Sequence, residues 1–154
     1  MRTAPAASPR AIPLHWVERS ADPAFGFRVT RFVVRRDGWS ADVSVRNSTR
    51  DDFQSRRPHY PRGSLFGVVV LRTASYGELL ELTAGERKEP PFLAPDRTSP
   101  PLPVSLRAGA SWRGTLSGSG ILRQGAVVRL MFGRFTRDRQ PSVFTWVTEH
   151  SLRL

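Results

Sequence analysis

The sequence predicts an all-β sandwich of seven to eight mainly antiparallel strands. Two observations carry this. Apolar residues recur with period two in short segments, and Gly-, Pro- and Asp-containing turns separate those segments. No segment shows a convincing period of 3.6, and no repeat recurs at a fixed period. Strands spaced this way mark a sandwich or a barrel. The long polar intervals 48–63 and 84–101 suit an open Greek-key sandwich better than an up-and-down barrel.

Residues 1–11 are rich in Ala and Pro and are expected to be a flexible tail, with no apolar core of the kind an intact signal peptide needs. One domain is expected over 12–154. Residues 12–17 read as an edge strand or a strap over the core. Phe27, Val29, Phe32, Val33 and Val34 mark the next strand, and the change of apolar parity between Val29 and Phe32 predicts a bulge. Asp37-Gly38 predicts a two-residue hairpin turn.

The cleanest alternation follows: Trp39, Ala41, Val43 and Val45 on one face, Ser40, Asp42, Ser44 and Arg46 on the other. Residues 64–72 are apolar on both faces and predict a covered strand. Leu79, Leu80 and Leu82 mark a weaker one. Leu102, Val104 and Leu106 precede a turn at Ala108-Gly109. In the next strand Trp112 and Leu116 oppose Arg113, Thr115 and Ser117. Ala126, Val128, Leu130 and Phe132 line one face of a later strand, and residues 143–154 close the chain. One core is expected to bury Trp39, Val43, Val45, Val69, Leu71, Trp112, Leu116, Leu130 and Phe132.

The order of features, Val43-x-Val45-x-Asn47 at a strand end and much later Leu106-x-x-Gly109 before a strand, resembles the immunoglobulin-like domains of unknown function found in bacterial cell-envelope lipoproteins and membrane-anchored proteins. The resemblance covers roughly 27–154. It implies an immunoglobulin-like sandwich with a binding or spacer role, an extracytoplasmic or cell-envelope location, and no catalytic residues. The chain departs from the lipoproteins in having no cysteine.

The absence of cysteine removes disulfides, thiolate zinc sites and Cys nucleophiles. His15, His59 and His150 are isolated from one another, so neither a metal site nor a cofactor is expected. No G-x-S-x-G or phosphate-loop pattern is present, and the chain is not expected to be an enzyme. Asp51-Asp52 reads as a solvated or capping pair on a turn. Asn47-Ser48-Thr49 matches a glycosylation pattern, but its residues are good turn formers and it is read as a turn. No apolar run reaches transmembrane length.

Charge is the remaining signal. The chain of 154 residues has 24 basic and 13 acidic side chains, a formal net charge of +11, and Lys88 is its one lysine. Codon bias explains arginines scattered along a chain; an anionic partner explains arginines gathered in space. Two groups stand together in sequence. Arg56, Arg57 and Arg62 share the first long loop; Arg129, Arg134, Arg137 and Arg139 interleave with Phe132 and Phe135. They form the candidate patch for an anionic partner. Segment 78–96 is the acidic counterpart. The expected function is a non-enzymatic binding or spacer module contacting another protein or an envelope polymer. The alternative is an arginine-rich binder of nucleic acid or another anionic polymer.

Overall fold

The computed structural model describes residues 3–20, 24–55, 66–75, 77–78, 92–137 and 143–154. Its strands are β1 (Arg10–Arg19), β2 (Phe25–Val34), β3 (Gly38–Asn47), β4 (Phe53–Gln54), β5 (Gly67–Leu71), β6 (Phe92–Leu93), β7 (Arg97–Ser99), β8 (Ser105–Leu106), β9 (Ser111–Ser119), β10 (Val127–Arg137), β11 (Val143–Val147) and β12 (Leu152–Arg153). Among the described residues, seven of these have five residues or more, and the rest are fragments of two or three. One sheet runs β1-β2-β3-β9-β7. The other runs β6-β5-β10-β4-β8, with β11 and β12 also paired to β10. Every pairing is antiparallel. The chain is an all-β sandwich.

The layers meet through phenylalanines. From the first sheet, Phe27 stacks on Phe132 with ring centroids 4.6 Å apart, and Phe25 stacks on Phe135 at 4.9 Å. Phe53 meets Phe25 edge-on at 4.8 Å. Such offset and edge contacts add to the burial of large apolar area. Trp39, Val43, Val45, Trp112, Leu116, Leu130 and Phe132 join this core as expected. Val69 and Leu71 are buried too, but in a second cluster with Val127, while Val68 faces the main core. A strand covered on both faces has no polar side to fix its parity, so the sequence could not tell Val68 from Val69.

The predicted bulge in β2 is present, as a register shift between Val29 and Arg31. The β2–β3 hairpin is also present, but not by a two-residue Asp37-Gly38 turn. Val34 pairs with Trp39, the loop is Arg35-Arg36-Asp37, and Gly38 belongs to β3. Gly38 is there for room: a Cβ at this position would lie 2.4 Å from the Gly118 carbonyl oxygen of β9.

The intervals expected to be loops carry short strands. Within 48–63 lies β4, and within 84–101 lie β6 and β7. The strand expected around Leu79, Leu80 and Leu82 lies outside the described residues, as does most of segment 78–96. The expected flexible tail is a docked segment over residues 4–7. Ala7 is 4% exposed and donates its N–H to the Leu122 carbonyl at 2.8 Å, and the Pro5 carbonyl accepts from Gln124 N at 2.9 Å. Proline and alanine have little side-chain entropy to lose on ordering, so a composition that reads as a linker also docks at low cost. The other end meets the same loop: Gly125 N donates to the Leu154 carbonyl at 2.6 Å, and Leu154 N to the Ala126 carbonyl at 2.9 Å.

Candidate anion-binding face

Of the seven residues expected to form a basic patch, two have described side chains, Arg129 and Arg137. Arg56, Arg57, Arg62 and Arg139 lie outside the described residues, and of Arg134 only the backbone, in β10, is described. Arg129 is not at the surface. It is 3% exposed, and its guanidinium donates to the carbonyls of Thr148 at 2.6 Å, Ala74 at 3.0 Å and Glu149. A buried fork spent on backbone carbonyls ties chain segments together and offers nothing to a partner. Arg137 pairs with Asp51 at 3.0 Å and lies over the Phe53 ring.

The antiparallel register assembles a different set. Along one row of the first sheet Val17, Arg28, Ser44 and Arg113 are aligned across β1, β2, β3 and β9. In the adjacent outward row Arg19, Gly26, Arg46 and Ser111 are aligned. Inward neighbours such as Phe25, Phe27, Val45 and Trp112 are buried, so both rows face outward. Arg19, Arg28, Arg46 and Arg113 are all exposed. None has a carboxylate partner among the described residues, where the ion pairs are Arg137–Asp51 and His150–Glu18. Arginine alternates with uncharged residues along each row (Val17 and Ser44 in one, Gly26 and Ser111 in the other), so no two guanidinium stems occupy adjacent strands within a row.

A depression of about 380 Å³ opens in this face, lined by Arg19, Arg28 and Arg46 and by Ser44, Ser48 and Ser111, with Gly26 between them. Asp42 is the one acidic side chain aligned on the same face among the described residues, and it accepts from the Thr115 hydroxyl at 2.7 Å. Fixed, unpaired positive charges around a concavity focus potential and attract anions.

Beneath the face, Glu18 is 7% exposed and is held from the other sheet's side. It accepts from Trp146 Nε1 at 3.1 Å and from His150 N at 2.8 Å, and it pairs with His150 Nδ1 at 2.9 Å. Trp16 stacks on the His150 ring at 5.9 Å. This accounts for His150 and Trp146 structurally; His15 is exposed, and His59 lies outside the described residues. Among the described residues no group of three or more His, Asp and Glu side chains could hold a metal ion. No helix of the described residues is long and apolar enough to cross a membrane. Asp52 caps the Ala108 N–H at 2.8 Å, and Asn47 is fully buried, which removes it as a sugar acceptor in the folded chain.

Arg19, Arg28, Arg46 and Arg113 form no basic run in the sequence because they stand on four different strands. Their one local signal was polar-face parity, visible for Arg46 and Arg113 and shared with many solvated residues. Comparison with protein-family models, curated proteins and solved structures found no match.

Proposed function

We propose that the chain is a non-enzymatic β-sandwich binding module whose first sheet presents its outward face to an anionic partner. The observation that carries this reading is the set of four exposed arginines that register gathers on one face, with no carboxylate partner among the described residues, three of them (Arg19, Arg28 and Arg46) lining one depression. Codon bias accounts for the number of arginines but not for their alternation with uncharged residues across four strands. The immunoglobulin-like family and an extracytoplasmic, envelope-associated location belong to the same proposal. They rest on the Val43–Asn47 and Leu106–Gly109 motifs, which hydrogen-bond to one another through Asn47.

The test is binding of heparin, as a general polyanion, at several salt concentrations by the wild-type chain and by an Arg28→Gln/Arg46→Gln variant. Each ionic contact removed lowers the slope of log affinity against log salt, by about 0.7 to 0.9 on the nucleic-acid scale. Affinity unaffected by salt, or equal for the two proteins, rejects the anionic partner and leaves a spacer or protein-contacting module.

A further inference from the structure

The depression has a more specific shape than a charged plane. Arg19 and Arg46 flank Gly26 in register, one strand to each side. They are two strand spacings apart, roughly 9.6 Å. Arg28 stands two residues along β2 from Gly26, roughly 7 Å away. Gly26 supplies no side chain, so the centre of the triangle is open, and Ser44, Ser48 and Ser111 stand at its margin. Among the described residues, the outward positions of β1, β2, β3, β7 and β9 include no Phe, Tyr or Trp.

We infer that this notch seats one chain of an acidic polysaccharide, with its carboxylate or sulfate groups on Arg19, Arg28 and Arg46. The inference rests on the anionic-partner reading and deepens it. Guanidinium forks pair in bidentate fashion with planar carboxylates and with sulfates. Serine hydroxyls both donate and accept, as sugar hydroxyls require. Single-stranded nucleic acid is disfavoured because its non-specific binders stack bases on aromatic side chains, and the described outward positions of this face include none. A bilayer is flat and a duplex is convex, so neither enters a notch whose floor is a glycine between two arginine stems. The Arg19–Arg46 separation of roughly 9.6 Å is the span of about two sugar residues, so acidic groups on alternate residues of a linear polymer can meet both arginines.

Gly26→Val fills the notch and removes no charge. A Cβ there meets Arg46 Cβ at 3.8 Å, an ordinary contact, and the backbone is extended, so the strand accepts it. Heparin, polygalacturonate, a short DNA duplex and phosphatidylglycerol vesicles are titrated at one salt concentration with wild type, Gly26→Val and Arg46→Gln. Wild type is expected to prefer the two polysaccharides. Gly26→Val should weaken them by about tenfold or more and leave any duplex binding unchanged, whereas Arg46→Gln should weaken every ligand. A second measurement uses the wild-type chain alone: bound heparin should protect Arg19, Arg28 and Arg46 from an arginine-selective reagent and leave Arg97 reactive. Polysaccharide affinity equal in folded Gly26→Val, preference for duplex or vesicles, or no protection at the three arginines overturns the notch while a polyanion-binding face survives. Failure of the wild type to bind any of the four ligands rejects both.

Discussion

The side-chain amide of Asn47 donates to the carbonyl oxygen of Leu106 at 3.0 Å, across 59 residues of chain. The same Nδ2 reaches the carbonyls of Arg107 at 3.2 Å and Asp51 at 2.8 Å, while the Asn47 backbone accepts from Gly109 N at 2.9 Å and donates to Ala110 O. One fully buried residue thus holds the end of β3, the approach to β4 and the turn before β9. Asn47→Asp keeps the shape and loses the donors. It is expected to destabilise the fold by roughly 2–4 kcal/mol, several buried acceptors being orphaned at once. Urea unfolding checks this; an unchanged midpoint would show that Nδ2 donation contributes little.

Glu18 is the corresponding tie between the layers. Glu18→Ala leaves Trp146 Nε1 and the His150 N–H without their acceptor, and a loss of roughly 2–4 kcal/mol is expected. Glu18→Gln retains an acceptor oxygen and should cost less. Equal stability of the two variants in thermal and urea melts would contradict the role given to these hydrogen bonds.

Arg129 and Arg137, near in sequence, should behave oppositely. The Arg137–Asp51 pair is solvent-exposed, with side chains 28% and 54% accessible, so Arg137→Ala is expected to cost under about 1 kcal/mol. Arg129→Met removes the donor to the buried Thr148 carbonyl and to the part-buried carbonyls of Ala74 and Glu149, and should cost roughly 2 kcal/mol or more. The comparison is made at one urea concentration series; a larger loss for Arg137 refutes the buried-tie reading of Arg129.

Two glycines separate close packing from turn conformation. Gly38→Ala would place a Cβ 2.4 Å from the Gly118 oxygen, whereas Gly109 has φ of 73° and nothing within 4 Å of a new Cβ. Gly109→Ala is expected to cost roughly 1 kcal/mol, the left-handed penalty alone. Gly38→Ala must move β3 or β9 and should cost more. Reversed melting temperatures would mean that the hairpin, and not the β3–β9 approach, sets the need for Gly38.

Much of the sandwich was legible because a half-wet strand writes its orientation into the chain. Trp39 to Asn47 and Trp112 to Ser117 alternate cleanly, and their burial follows except at Ser40, which lies on the polar face and is nonetheless buried. Val68 to Leu71 gave the strand but not its facing, since both sides are covered. Strands as short as Phe53–Gln54 and Arg97–Ser99 exist through their partners and have no pattern of their own. The arginine face was illegible for a related reason. Residues 19, 28, 46 and 113 become neighbours only after four strands take their register, and register is a property of the assembled sheet. The basic run that is visible in the sequence includes Arg129, whose side chain the fold keeps inside.

The docking of residues 5–7 and of Leu154 on the same loop, 122–126, also fixes how this domain can be held. β9 begins beside Arg46 and ends beside Gly38, so that loop follows the end remote from the notch. The strand separates the two poles by roughly 27 Å. A short peptide bridging the two docked segments would make a circular permutant, with new ends cut at the Ala108-Gly109 turn. A surface or bead attached through either segment would leave the arginine notch at the opposite end of the sheet from its anchor.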